Sequence, residues 1–146
     1  MVRKITEEDR EVYLQMTREF YASDAVDHNL PHSYFEKTFR ELMRSEEYAE
    51  AFLLEDGGVA AGYALLAKTF SQEAGGMVVW AEELYVRPEY RGRGLCHEFY
   101  SFLREHLPES VKRLRLEAEN TNRRAISLYR RLGFRDLPYC QMIQDF

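Results

Sequence analysis

The sequence predicts a single α/β domain, spanning residues 1–146, that folds around one mixed sheet. Strand and helix patterns alternate through the second half, where a strand–helix–strand unit requires parallel strands. An Asp-Gly-Gly turn at 56–58 joins two apolar runs in the first half and indicates an antiparallel hairpin. The chain contains no internal repeat, low-complexity tract or linker, and its 146 residues are the usual size of one domain.

Two helices are expected in the first half. Thr6 opens the first helix, with Asp9 in the partner position of a capping box. Ser33 and Glu36 form a second capping box, which begins the next helix. Apolar residues at helical spacing mark the buried faces: Val12, Tyr13, Met16 and Phe20 in the first helix, and Tyr34, Phe35, Phe39, Leu42 and Met43 in the second.

Four strands accompany these helices. The patterns predict them at 2–5, 49–54, 59–69 and 77–86. The last three should form an antiparallel meander, because short glycine-containing turns at 56–58 and 75–76 connect them.

The second half opens with a break in the strand pattern. Residues 88–94, PEYRGRG, cannot continue a strand and lead into an amphipathic helix. Its apolar face is expected to carry Leu95, Phe99, Phe102, Leu103 and His106. Pro108 ends that helix, and residues 113–118 then alternate like a half-buried strand.

A fourth helix and a final strand complete the prediction. Asn120 or Thr121 can cap the helix, and Gly133 stands where a glycine ends it. Residues 134–143 are predicted to supply the final strand or strands. The buried face of the helix should carry Ala125, Leu128, Tyr129 and Leu132.

Charge and composition exclude several classes of function. Lys and Arg total 20 against 25 Asp and Glu, a net charge of −5, whereas nucleic-acid binding needs a basic surface. The two cysteines, Cys96 and Cys140, lack metal-ligand spacing, so no metal site is predicted. No apolar run approaches the ~20 residues of a membrane span, and the N-terminus lacks a signal-peptide stretch. We therefore expect no membrane interaction and a cytoplasmic location.

Residues 91–94, Arg-Gly-Arg-Gly, stand between a strand and a helix, which suits an anionic ligand such as a pyrophosphate. The first turn of a helix has free backbone N–H groups and partial positive charge, and glycine lets a ligand approach the backbone. A phosphate-binding P-loop is excluded because no Gly-Lys-Ser/Thr follows. A dinucleotide fingerprint is excluded because His97 stands where its third glycine belongs. The alternative is a glycine-rich turn with its arginines in solvent.

Two motifs in the C-terminal part of the chain resemble those of the GNAT superfamily of N-acetyltransferases. The family's coenzyme A signature is R/Q-x-x-G-x-G/A after a central strand, and residues 91–96 read RGRGLC after ELYVRPEY at 83–90. The second signature, N-x-x-A-x-x-x-Y-x-x-x-G-F, is matched at every position, by Asn122, Ala125, Tyr129, Gly133 and Phe134. The resemblance implies a GNAT-like mixed sheet with splayed central parallel strands and about four helices. It also implies acetyl-CoA (coenzyme A) as the cofactor.

The resemblance further assigns residues to that cofactor. The glycine loop would hold the pyrophosphate, and backbone N–H groups at 84–86 would hold the acetyl carbonyl and the pantetheine arm. Asn122 would bond the same arm, unless it serves only as a helix cap. Cys96 departs from the family's Gly or Ala, but its side chain is small, so binding is expected to survive. The full cofactor set is Leu84, Tyr85, Val86, Arg91, Gly92, Arg93, Gly94, Leu95, Cys96, Asn122 and Tyr129.

Acetyl transfer from a thioester to an amine needs a base for the ammonium proton, donors for the oxyanion and an acid for the leaving thiolate. By resemblance, Tyr129 is the acid and Glu82 the base. Glu82 and Glu83 are adjacent on one strand and point to opposite faces, so only one can enter the cleft. Alternation does not decide which face is the cleft, and Glu83 or a water stays an alternative base.

The acceptor is expected to be a primary amine, of a small molecule or a peptide, that attacks directly in a ternary complex. Asp24, Asp27 and His28 lie in a predicted loop at 22–31. Together with Glu82 they are expected to bind the acceptor, because acidic and aromatic groups suit a cationic amine. A solvated polar loop is the alternative interpretation.

Two other functions stay open on the sequence. The first is a non-catalytic acyl-CoA-binding sensor or interaction module of the same fold, against which the complete Tyr129 motif and a strand carboxylate argue. The second is a structural domain without affinity for coenzyme A. The resemblance also implies a homodimer formed through the C-terminal strands.

Overall fold

The computed structural model describes residues 1–23 and 30–146, which form one sheet with helices on both faces. The strands are β1 Val2–Lys4, β2 Ala49–Asp56, β3 Val59–Ser71, β4 Gly76–Val86 and β5 Val111–Leu116. The α-helices are α1 Arg10–Tyr21, α2 His32–Arg44, α3 Leu95–His106 and α4 Arg123–Arg131, and 3-10 turns lie at Glu7–Asp9 and Pro88–Tyr90. Among the described residues, none of the helices is both long and apolar enough to cross a membrane.

The strands lie in the order β1-β2-β3-β4-β5 across the sheet. Neighbours from β1 to β4 pair antiparallel, whereas β4 and β5 are parallel and α3 is the crossover between them. The predicted mixed sheet, the meander and the parallel unit are therefore confirmed. Gly57 and Gly58, both with positive φ, form the hairpin turn between β2 and β3.

Each face of the sheet is covered by helices. The α3 face holds Phe99, Tyr100 and Leu103, which pack with Leu54, Leu66, Val79 and Ala81 of the sheet. The opposite face holds Tyr13, Met16, Phe35 and Phe39 of α1 and α2, which pack with Leu53, Tyr63 and Tyr85. Most of the apolar residues predicted for these helix faces build the two cores, but the predictions for Tyr34 and His106 are wrong because both side chains are exposed.

β4 and β5 separate halfway along β4. Their parallel pairing runs from Met77 to Ala81 on β4 and stops at Leu116 on β5. Beyond Ala81, β4 continues to Val86 with a ladder only to β3. The edge of β4 from Glu82 to Val86 is therefore open, which confirms the splay of the two parallel strands.

A bulge in β4 lies at the start of this splay. Leu66 of β3 pairs with Ala81 and Leu65 pairs with Glu83, so Glu82 is the extra residue. A bulge of this kind bends its strand and shifts the alternation of side chains. As a result Val86 lies on the same face as Ala81, while Tyr85 belongs to the core on the α1 side.

The N-terminal strand and turn are tied together by Asp9. Its carboxylate accepts a hydrogen bond of 2.8 Å from the Thr6 backbone N–H, as the capping prediction requires, and two of 2.8 Å from the Arg3 guanidinium. Arg3 in turn donates to Glu55 of β2 at 2.7 Å. The Arg3 hydrogen bonds, more than any other contact, lower the pKa of Asp9 to about 2.

Two predicted helix starts are wrong. The helix α2 begins at His32 with Pro31 as its N-cap, so Ser33 lies inside the first turn and does not cap it. The helix α4 is capped by Asn122, whose side-chain oxygen accepts from the Ala125 N–H at 3.2 Å, and neither Asn120 nor Thr121 has this role. Several polar residues near a helix start can each supply a cap, and the path of the preceding chain selects one.

The predicted strand at 134–143 is also wrong. Residues after Gly133 have no regular secondary structure, and Tyr139, Met142 and Ile143 are exposed. A strand needs a partner edge as well as an alternating pattern, and Pro138 has no N–H to contribute to a ladder. The end predicted for α4 is confirmed, because Gly133 follows the C-cap with a φ of 92°.

Candidate active site

The glycine loop joins β4 to α3 at the open end of the splay. Gly92 and Gly94 have φ of 79° and 84°, a region that side-chain-bearing residues rarely adopt, and Gly94 is the N-cap of α3. A Cβ added at either glycine would meet nothing within 4 Å, so the space above the loop is open. Within the described residues, the backbone N–H groups at 92–97 make no hydrogen bond to a backbone carbonyl outside α3. The loop is therefore a set of free donors at a helix N-terminus.

The two loop arginines differ in their engagement. The Arg91 Nε donates to the Val86 carbonyl at 2.9 Å, and the residue is otherwise exposed. Arg93 is bound on the far side of the loop, where its guanidinium donates to Asp56 at 2.6 Å and to the Glu89 carbonyl at 3.0 Å. The Arg91 side chain is thus the one with fewer protein contacts and is more available to an anionic ligand. Arg93 offers such a ligand its backbone N–H.

Tyr129 of α4 lies beside the first turns of α3. Its ring packs against Tyr100 and Phe134, with ring centres 6.0 Å away in each case. Burial, and next the proximity of Cys96, raise the pKa of Tyr129 to about 12, so its hydroxyl is protonated at neutral pH. Cys96 is itself half-buried, and burial raises the pKa of its thiol. The second motif and the glycine loop are therefore brought into one region.

The two adjacent glutamates have different environments. Glu83 points to the α1 face, where its carboxylate accepts hydrogen bonds from Tyr21 at 2.6 Å and Tyr63 at 2.5 Å. Burial raises the pKa of Glu83, and the two phenol hydrogen bonds partly oppose that effect. Glu82 lies at the bulge and is exposed at the open edge of β4.

Glu82 is also surrounded by negative charge. Partial desolvation raises its pKa, and the charges of Glu117 and Glu83 raise it further. Glu117 directly follows the end of β5, so the splay brings the two carboxylates near each other. A carboxylate whose pKa lies above the usual glutamate range is a better proton acceptor at neutral pH.

Glu117, Tyr21 and Tyr63 were not predicted as site residues. Tyr21 lies on α1, Glu117 follows β5, and Tyr63 lies on the neighbouring strand β3. Only the strand register and the packing of α1 bring these side chains close to β4. No local pattern around these residues signals that approach. The predicted acceptor residues Asp24, Asp27 and His28 lie outside the described residues.

A groove of about 1010 Å³ opens between β5, α4 and the segment after α4. Its lining includes Leu116 and Glu117 at the end of β5, and Tyr129 of α4. The groove therefore follows β5 to Glu117, just past the last residue that pairs with β4, and reaches Tyr129 of α4. Among the described residues no group of three or more His, Cys, Asp or Glu side chains is arranged to hold a metal ion.

A parallel pair of strands that parts beside a glycine loop defines an acetyltransferase-type fold, and comparison with known proteins identifies the family. The sequence profile of the acetyltransferase (GNAT) family matches residues 11–134. The chain belongs to the GNAT family.

Among curated proteins, the chain is similar to a thialysine N-epsilon-acetyltransferase of Bos taurus, with 35% identity over 82 residues. That match covers 56% of this chain and 48% of the bovine protein, so the matched part of the chain spans about half the length of that relative.

Solved structures have the same fold over nearly the whole chain. An integron cassette protein from the mobile metagenome of Cole Harbour Salt Marsh superposes with a TM-score of 0.84 at 26% identity, covering 99% of this chain and 89% of that one. AAC(6')-Iy in complex with a bisubstrate analog, CoA-S-monomethyl-acetylneamine, superposes with a TM-score of 0.82 at 15% identity, covering 100% and 97%. At 15% identity, the likeness to AAC(6')-Iy shows a shared fold and nothing more.

Proposed function

We propose that the protein is an acetyl-CoA-dependent N-acetyltransferase that transfers the acetyl group to a primary amine by direct attack in a ternary complex. The observation that carries the proposal is the splay at Glu82, which opens between the glycine loop, Tyr129 and a cluster of carboxylates. Family membership and the name of the bovine relative support the same reaction.

The residues present fit a coenzyme A ligand. Donors at 91–96 suit a pyrophosphate, because these N–H groups lie at a helix N-terminus and the space above Gly92 and Gly94 is open. The open edge of β4 at 84–86 offers further backbone groups to an amide-containing arm. Asn122 has its oxygen in the helix cap, and its amide N–H groups are the part left for the ligand. When bound, acetyl-CoA supplies the activated thioester.

Side chains and backbone groups of the protein then accept and donate the protons and stabilise the negative charge that develops on the carbonyl oxygen. Glu82 accepts the proton of the acceptor ammonium, and its raised pKa and exposed position support this role over the hydrogen-bonded Glu83. Backbone N–H groups at 84–86 stabilise the oxyanion. Tyr129 donates its proton to the leaving sulfur, a role for which its protonated hydroxyl at neutral pH is suited.

The acceptor is a cationic primary amine, of a small molecule or a peptide. The negative charges of Glu82 and Glu117 support a cation at the splay. The relative's name, thialysine N-epsilon-acetyltransferase, specifies a side-chain amine for that protein. Asp24, Asp27 and His28 stay predictions for the acceptor site, as do the homodimer and the cytoplasmic location.

Two linked measurements test the proposal: calorimetric titration with acetyl-CoA, and thiol release with a panel of primary amines. We expect saturable binding in the wild type that is weakened at least about tenfold in Gly94→Val, because a side chain strains the loop backbone and enters the pyrophosphate position. Gly75→Val is the matched control, since Gly75 also has positive φ and open space but lies at the other end of β4.

The outcomes separate the competing functions. Absence of binding by folded wild-type protein would contradict the proposal and favour a structural domain. Binding without turnover of any amine would favour a non-catalytic acyl-CoA sensor.

A further inference from the structure

Tyr100 lies in the interior of the α3 side of the sheet, directly behind the candidate site. Its side chain is 1% exposed, and it follows Cys96 by one turn of α3. Its ring packs edge-on against Tyr129 at 6.0 Å and against Phe134 at 5.4 Å, measured between ring centres. Tyr100 therefore lies between α3, which follows the glycine loop, and α4, which carries the second motif.

The Tyr100 hydroxyl has no hydrogen-bond partner. Among the described residues it is the only fully buried side-chain nitrogen or oxygen left unpaired. A buried hydroxyl without a partner destabilises the folded state, because it loses its hydrogen bonds to water and gains none. Phenylalanine would fill the same volume without that cost, so the hydroxyl is expected to have a partner at some stage of the protein's function.

The neighbouring groups identify that partner. Burial is the main cause that raises the pKa of Tyr100, and the charges of Tyr129 and then Cys96 raise it further. The ring of Tyr129 is also in edge-on contact with that of Tyr100. The hydroxyl of Tyr129 also makes no hydrogen bond to any residue that the structure describes. Of the two neighbours, a phenol oxygen is the stronger hydrogen-bond acceptor and a thiol the weaker.

We infer that Tyr100 is a positioning residue whose hydroxyl donates a hydrogen bond to the Tyr129 oxygen once Tyr129 has given up its proton. The inference rests on the proposed function, in which Tyr129 protonates the leaving sulfur. As the carbon–sulfur bond breaks, the Tyr129 proton moves to the sulfur and Tyr129 becomes a phenolate. The Tyr100 proton stays on Tyr100 and is shared with that phenolate, and Tyr129 later regains a proton from solvent.

The test uses the wild type, Tyr100→Phe, Tyr129→Phe and the double variant. We expect Tyr100→Phe to lower kcat about tenfold, because it removes a hydrogen bond to a charged oxygen. Calorimetric affinity for acetyl-CoA should stay unchanged, and the thermal unfolding midpoint should stay equal or rise because an unpaired buried hydroxyl is removed. Tyr48→Phe, at an exposed position that contacts Arg44, is the control for the same chemical change.

The double variant gives the decisive readout. In the Tyr129→Phe background, Tyr100→Phe should have no further effect on kcat, because the hydroxyl acts through Tyr129. Equal losses in both backgrounds, or an unchanged kcat in Tyr100→Phe alone, would overturn the inference. A fall in acetyl-CoA affinity or in the unfolding midpoint would instead show a packing role. Full activity of Tyr129→Phe would refute the proposed role of Tyr129, which is a separate result.

Discussion

Tyr63 of β3 donates a hydrogen bond of 2.5 Å to Glu83 of β4, on the buried face of the sheet that α1 covers. Tyr21 of α1 donates a second hydrogen bond, of 2.6 Å, to the other oxygen of the same carboxylate. The negative charge of Glu83 also raises the pKa of Tyr63, together with burial as the larger cause. Glu83 therefore joins a helix to the sheet behind the splay, while its neighbour Glu82 is left at the opening.

This relationship predicts an unusual pH dependence of stability. Burial raises the pKa of Glu83, so the folded state keeps a proton that the unfolded state has already lost. The free energy of unfolding of the wild type should therefore fall, relative to Glu83→Gln, as pH rises above the pKa of an unfolded glutamate. We expect this relative decrease to appear in urea unfolding between pH 4 and pH 7. Glu105→Gln, at an exposed position on α3, should show no such trend.

The two adjacent glutamates should differ sharply in kinetics. Glu82→Gln should lower kcat about 100-fold at neutral pH, because a general base contributes at least this much. Glu83→Gln should retain most of the activity, since its carboxylate faces α1 and is held by two phenols. Steady-state kinetics on both variants, with the same amine, show which of the two glutamates is the base. A larger loss in Glu83→Gln than in Glu82→Gln would reverse the assignment of the base.

Glu117 should tune the pH profile of the reaction without serving as the base. Its charge raises the pKa of Glu82, so Glu117→Gln should lower that pKa. The acidic limb of the kcat profile should then move to lower pH, because Glu82 becomes deprotonated at lower pH. Glu109→Gln, before the other end of β5, is the matched control. An unchanged limb in Glu117→Gln would mean that another group controls it.

Asp9 should contribute to stability at neutral pH and lose that contribution in acid. Its pKa of about 2 lies below the ordinary value of 3.8, so its effect is full above that value and disappears as pH falls toward 2. Asp9→Asn should lower the free energy of unfolding by about 1–2 kcal/mol at pH 7, a figure reduced for the solvent-exposed part of Arg3. Thermal or urea unfolding at pH 7 and pH 2 measures the difference. Variant and wild type that still differed equally at pH 2 would contradict the ionic origin.

Two features that the sequence did not predict share a physical cause. Residues 134–143 were predicted to form a strand but form none, because a strand exists only where another segment pairs with it. The Arg93 guanidinium bonds to Asp56 of a distant turn, a contact that the motif does not predict. In both cases the outcome depends on a partner that the local pattern does not contain.

The features that the sequence determined by itself are local ones. The hairpin at 56–58, the positive φ of Gly92 and Gly94, the amphipathic helix faces and the two family motifs depend on residues that are neighbours along the chain. The tertiary structure alone decided that Glu82 lies at the splay, that Glu83 is bound by Tyr21 and Tyr63, and that Tyr100 packs against Tyr129. These contacts join segments far apart in sequence, and a one-residue bulge in β4 sets which side chains meet, because strand alternation shifts by a whole face with each added residue.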